Sequence, residues 1–119
     1  MFNFSHKYYK LREDEFTTIR SIHYSKEHNL TIGQVGMITI DRVPFTWVKI
    51  VKWEDKRICD IPLDLLKKDV AYGEFMINTY AEFVDGLNTI LKASGMPFAN
   101  NRITTKKRVF YLKKYASPQ

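Results

Sequence analysis

Between residues 103 and 115 the chain alternates with a period of two. Val109, Tyr111, Lys113 and Tyr115 fall on one side, and Arg108, Phe110, Leu112 and Lys114 on the other. That period is the signature of an extended strand. Both sides carry large apolar or long side chains, and the first residues of the chain, Phe2-Asn3-Phe4, are also strand-like. The first and last elements must both find partners, so the pairing joins residues far apart in sequence. At 119 residues, with 45% hydrophobic side chains, the chain has the size of one domain, 1–119, and enough apolar material for its own core.

The elements between these ends follow from local pattern. Ser5 stands as an N-cap ahead of a short helix over 6–12. Phe16-Thr17-Thr18-Ile19-Arg20 is rich in β-branched residues and reads as a strand; the polar residues 21–31 read as an exposed loop. Gly33 and Gly36 bracket a turn into a strand over 37–41. A long strand over 43–53 has apolar or long side chains on both faces near Val48-Lys49-Ile50-Val51, as in a central strand covered on both sides. The charged residues 54–57 read as a turn, 58–61 as an extension of the pairing, and Pro62 as the first turn of a helix ending near Lys68. Met76, Tyr80, Phe83, Val84, Leu87 and Leu91 step by three and four, predicting a helix over 74–92 that Gly95 and Pro97 stop. The order is strand, helix, strand, strand, strand, helix, helix, strand. This predicts an α+β fold, a small barrel-like sheet with short helices at its ends.

Charge narrows the function. Nineteen Lys and Arg stand against thirteen Asp and Glu, for a net charge of +6. Arg102, Lys106, Lys107, Arg108, Lys113 and Lys114 face no acidic residue after position 101, so the whole excess lies on the last segment, which carries the closing strand. A basic stripe attracts polyanions with salt-sensitive affinity, and the same stripe also serves as a solubilising face. No apolar run reaches the ~18–20 residues of a membrane span, and the first residues lack a signal-peptide layout. With a single cysteine, Cys59, the chain has no internal disulfide. A cytoplasmic protein without membrane partners is the expectation.

Catalytic and cofactor signals are sparse. Gly33-Gln34-Val35-Gly36 lacks the third glycine and the helix of a nucleotide loop. His23, Glu27 and His28 do not form a convincing metal site, because loop histidines are usually solvated. Cys59, beside Ile58 and Ile61, reads as a small buried hydrophobe. Neither a cofactor nor a metal is expected. On the strand over 16–20, Phe16, Thr18 and Arg20 share a face. An arginine fork beside a threonine hydroxyl makes a donor site for a phosphate or a base edge; alternatively Arg20 pairs with a carboxylate such as Asp41. Phe45, Trp47 and Trp53 read mainly as structural.

The stretch Phe4-Ser5-x-Lys7-Tyr8, followed by Phe16-Thr17-Thr18-Ile19-Arg20, resembles the opening of the ASCH family, a branch of the PUA-like superfamily. Residues 32–38 stand where that family has a turn, 48–52 where it has a long strand, and 60–66 where a short helix begins. Residues 74–91 and 108–114 match its last helix and strand. The resemblance implies a PUA-like β-barrel. The family motif Gly-x-Lys-x-x-Thr/Glu-x-Arg is kept at Thr18 and Arg20, while Glu13 takes the glycine position, Glu15 the lysine position and Gln34 the turn aspartate. Some members are amidohydrolases of acylated nucleosides with a Thr–Lys–Glu set. For such chemistry this chain offers Thr18 as nucleophile, Glu15 where the activating lysine belongs, and Asp69 or Glu74 as acid. An exposed carboxylate is a weak base for a threonine hydroxyl, so binding is favoured over turnover. The fold is otherwise associated with RNA. Lys7, Thr18, Arg20, Lys106, Lys107 and Arg108 are therefore the expected nucleic-acid-binding residues, with tyrosines nearby to stack on unpaired bases. A nucleoside hydrolase or ribonuclease-like enzyme at the same cleft and a protein-interaction adaptor are the alternatives.

Overall fold

A computed structural model describes residues 1–70 and 77–115. Five strands form one sheet: β1 (Asn3–Phe4), β2 (Glu15–Ser21), β3 (Val35–Ile40), β4 (Val43–Arg57) and β5 (Lys106–Lys114), in the spatial order β1-β3-β4-β5-β2. β1 runs parallel to β3, and every other pair is antiparallel. The sheet curls into a half-barrel whose two edges approach each other. A guanidinium nitrogen of Arg20 on β2 donates to the Asn3 carbonyl on β1 at 3.2 Å, and the rings of Phe4 and Phe16 meet edge to face with centroids 6.5 Å apart. The expected α+β class and barrel-like sheet are observed.

β5 is the shared wall of two cores. Phe110 and Leu112 point into the curl with Phe2, Phe4, Phe16, Ile38, Val48 and Ile50. Val109 and Tyr111 point outward, beneath helices α2 (Leu63–Val70) and α3 (Tyr80–Ala93), where Ile58, Ile61, Leu66 and Phe83 pack. The alternation along 108–112 has its explanation here: both sides of this strand are covered.

Several local expectations are corrected. Ser5 caps no helix; the first helical turn is 3₁₀ and spans Tyr9–Arg12, with Tyr8 before it. Residues 21–31 contain a one-turn helix, α1 (Tyr24–Glu27), which stays put because Tyr24 stacks on Phe2. The charged residues 54–57 are not a turn: β4 runs through them to Arg57, paired with β5. Residues Ile58–Asp60 form a 3₁₀ turn rather than more strand. The last helix starts at Tyr80, where Thr79 Oγ1 accepts the Glu82 N–H at 3.1 Å; the part of the expected helix over 74–76 lies outside the described residues. Gly95 ends it with φ +93°, while the Met96 N–H reaches back to the Leu91 carbonyl. The closing strand starts at Lys106 rather than 103.

A β-bulge controls which residues of β4 face which way. Ile50 pairs with Leu112 and Lys52 with Tyr111, leaving Val51 over. The extra residue resets the pleat, so Trp53 and Asp55 face the same concave side as Val48 and Ile50. Val51 is 48% exposed and Lys49 is exposed. The outer face here is open, contrary to a strand covered on both sides.

Candidate functional site

The register of β2 against β5 places Arg20 directly opposite Arg108, both on the concave face. Two of the arginines expected to bind nucleic acid therefore stand together at one mouth of the half-barrel. Arg108 is neutralised there: its Nε and Nη2 donate to the two Asp55 carboxylate oxygens at 2.7 and 2.8 Å, and Nη1 donates to Ser25 Oγ. Its guanidinium also lies 4.9 Å from the Trp53 ring centroid. These bonds hold the Asp55 carboxyl below its usual range and push the Arg108 value up.

Arg20 has no such carboxylate among the described residues, so the alternative of a pair with Asp41 is not what is found. Its Nε donates to Thr18 Oγ1 at 3.2 Å and a terminal nitrogen to the Asn3 carbonyl. The guanidinium is 5.3–5.5 Å from the ring centroids of Phe2, Phe4 and Tyr24. These contacts use two of the five N–H donors an arginine carries and leave its charge uncompensated. Thr18 is 3% exposed, a hydroxyl sealed in the wall that orients the arginine.

The other expected residues are dispersed. Lys7 and Lys114 both lie 5.8 Å from the Phe45 ring centroid. Lys106 is exposed, whereas Lys107 points to the convex side, where burial lowers its pKa. Glu15 is exposed at the start of β2. Glu74 lies outside the described residues. Two open clefts, of about 320 and 360 Å³, share Glu15, Phe16 and Thr17 as walls, and neither is lined by Thr18 or Arg20.

Sequence reasoning missed Lys10. This side chain is 5% exposed, and its Nζ sits 2.6 Å from Asp69 Oδ1, with the Phe4 and Tyr8 ring centroids 5.1 and 5.6 Å away. Burial lowers its pKa, and the attraction of Asp69 only partly offsets this. Lys10 and Arg20 flank the same Phe4 ring, so Thr18, Arg20, Lys10 and Asp69 form one continuous constellation. No group of three or more potential metal ligands occurs among the described residues, and no helix there is long and apolar enough to cross a membrane.

No family model matches the chain. In fold it is similar to protein EF3133 from Enterococcus faecalis V583, a crystal structure assigned to DUF984. The TM-score is 0.60 at 11% identity over 88% of this chain, which spans 63% of that protein's length. In sequence it is 48% identical, over 112 residues, to the uncharacterized protein MJ0364 of Methanocaldococcus jannaschii; the match covers 94% of this chain and 93% of that one. An identity that high over nearly the full length of both shows that the chain belongs to the same family as the Methanocaldococcus protein.

Proposed function

We propose that this protein is a PUA-like RNA-binding domain that takes a phosphate or base edge of single-stranded or looped RNA at Arg20. The observation that carries the reading is the state of that guanidinium. It is held by Thr18 Oγ1 and the Asn3 carbonyl, banked against three rings, left with free donors, and neutralised by no carboxylate among the described residues. A cation partly withdrawn from water and left unpaired favours an anion. The +6 net charge supplies the long-range attraction.

The test is a titration of short single-stranded RNA, duplex RNA and matched DNA at several salt concentrations. Arg20→Ala weakens RNA binding by about 1–3 kcal/mol, the worth of a bidentate contact. Arg20→Lys, which keeps the charge but not the fork, is intermediate. Affinity unchanged in both variants overturns the site.

The Lys10–Asp69 pair favours a second reading, hydrolysis of a nucleoside or nucleotide at the same mouth. Burial lowers the Lys10 pKa, which makes its amine a better proton acceptor for an attacking hydroxyl or water than an ordinary lysine. Turnover of an N-acylated nucleoside that is lost in both Lys10→Met and Thr18→Ala would select it over binding alone.

A further inference from the structure

The convex face of the sheet carries a second group of aromatic and basic residues. Val48 and Ile50 of β4 and Phe110 and Leu112 of β5 are buried inside the curl, so their neighbours along each strand point outward. On β5 these are Tyr111 and Lys113, followed by Tyr115, whose N–H donates to the Trp47 carbonyl at 3.0 Å. On β4 they are Trp47 and Lys49, with Lys49 directly opposite Lys113. Ring and cation thus alternate along two adjacent strands, at about 6.8 Å per step on one face. The row continues onto β3, where Met37 stands opposite Trp47 and Val35 opposite Lys49.

Helices α2 and α3 do not account for this area. Their core takes in Val109 and Tyr111, but Trp47, Met37 and Val35 belong to neither core cluster. Trp47 is half-buried, whereas Trp53 packs against the inner core. Tyr115 is 47% and Val51 48% exposed. Lys49 and Lys113 form no ion pair among the described residues. Lys52, by contrast, pairs with Glu54 and lies over the Tyr111 ring at 4.6 Å. Glu15, opposite Lys113 on β2, is the acidic residue at this margin.

We infer that this convex face, built on Trp47, Lys49, Lys113 and Tyr115, is a docking surface for single-stranded RNA. The charge favours a polyanion: Lys49 and Lys113 are paired in register, both exposed, and neither forms an ion pair among the described residues. Tyr115 is exposed and Trp47 half-exposed beside them, and aromatic side chains are what unpaired bases stack on, which a duplex does not offer. The inference rests on the RNA reading of the Arg20 mouth and adds a second point of contact, on the opposite side of the sheet.

The experiment is an anisotropy titration of a short labelled oligouridine across a salt series, with matched DNA in parallel. It uses the full chain, Lys49→Ala/Lys113→Ala, Tyr115→Ala and Arg20→Ala, with circular dichroism to verify folding. All three convex-face substitutions fall on exposed side chains. The double lysine variant lowers the slope of log K against log salt by about 1.4. Tyr115→Ala weakens binding roughly tenfold, as loss of one stacked base does. RNA binding that keeps its slope and affinity in these variants but falls in Arg20→Ala overturns the docking surface and leaves the Arg20 reading standing. Wild-type binding no tighter than that of an unrelated protein of equal charge overturns both. Equal affinity for the DNA overturns the commitment to RNA.

Discussion

Replacing Asp69 by Asn isolates the energetics of the buried charge. Asparagine keeps the volume and an acceptor oxygen near Lys10 but removes the negative charge. The ammonium is 3% and the carboxylate 14% exposed on their side chains. Breaking one side of a buried pair costs about 3–5 kcal/mol, because the remaining ion is left uncompensated. The flanking faces of Phe4 and Tyr8 return only about 0.5–2 kcal/mol, and water reaches the Asp69 side, so a loss of about 3 kcal/mol is expected. With a urea m-value near 2 kcal/mol/M, typical of a small domain, the midpoint falls by about 1.5 M at unchanged m. The pH dependence identifies the cause. Lys10 titrates below its ordinary value of 10.5 because it is buried. Between its folded and unfolded pKa the unfolded chain holds more protons, so stability rises with pH through that window, and the penalty is fully present below it. Asp69→Asn removes the group that holds the Lys10 pKa up and extends the window downward. The deficit of the variant therefore shrinks as pH rises from the variant's folded Lys10 pKa to that of wild type, and stays constant from there to 10.5. A loss below about 1 kcal/mol on the acid side of that change, or a deficit that is the same at every pH below 10.5, refutes the argument. Lys10→Met/Asp69→Leu, which replaces the pair by apolar volume, recovers most of the loss.

Three further effects are expected. The β3–β4 hairpin turns on Asp41 and Arg42, with φ of 49° and 66°; Arg42→Gly relieves the left-handed strain and raises stability by about 1 kcal/mol in urea unfolding, and a variant no more stable than wild type would show that the turn is not strained. Thr79→Ala removes the cap of α3 and costs about 1 kcal/mol, whereas Thr79→Ser does not; equal losses in both would assign the effect to packing of the Thr79 methyl. Because Arg108 depresses the Asp55 pKa, the stability this pair contributes is present above the ordinary value of 3.8 and disappears as pH falls through the folded value. Acid unfolding of wild type and Asp55→Asn should therefore converge at low pH, and parallel curves across that range would contradict the linkage.

How much of this could be read from the chain depends on whether the deciding contact is local. Period two along 108–114 and Gly95 after a periodic helix are local signals, and both elements are found with their ends near the expected places, although the strand starts at Lys106 and the helix at Tyr80. Phe16, Thr18 and Arg20 share the face that alternation assigned them. Lys10 could not be found that way: its partner is 59 residues distant, and a lysine between Tyr9 and Leu11 looks like any exposed charge. The residues 54–57 mislead for a related reason. Four charges in a row suggest a turn, yet Glu54 satisfies Lys52 and Lys56 on one side of β4 while Asp55 turns inward to Arg108. One strand thus carries charges on both faces, and only the β5 partner makes that stable.

The bulge at Val51 and the sorting of charge are parts of one arrangement. An unbulged β4 that kept Val48 and Ile50 inside would turn Trp53 and Asp55 outward. In that register Lys52 would stand opposite Phe110 and Glu54 opposite Arg108. The extra residue instead brings Trp53 and Asp55 inside, so Arg108 gains that ring and that carboxylate, while Arg20 opposite it has no carboxylate partner among the described residues. It also leaves Lys52 outside over Tyr111, next to Lys49 and Lys113. The basic excess read from the closing strand is therefore not a single stripe. The pairing consumes Arg108 on the concave side and partly buries Lys107 on the convex side. Arg102, Lys106 and Lys113 keep exposed charges without an ion pair among the described residues, and Arg20 at the mouth and Lys49 on the opposite face are added to them from other strands.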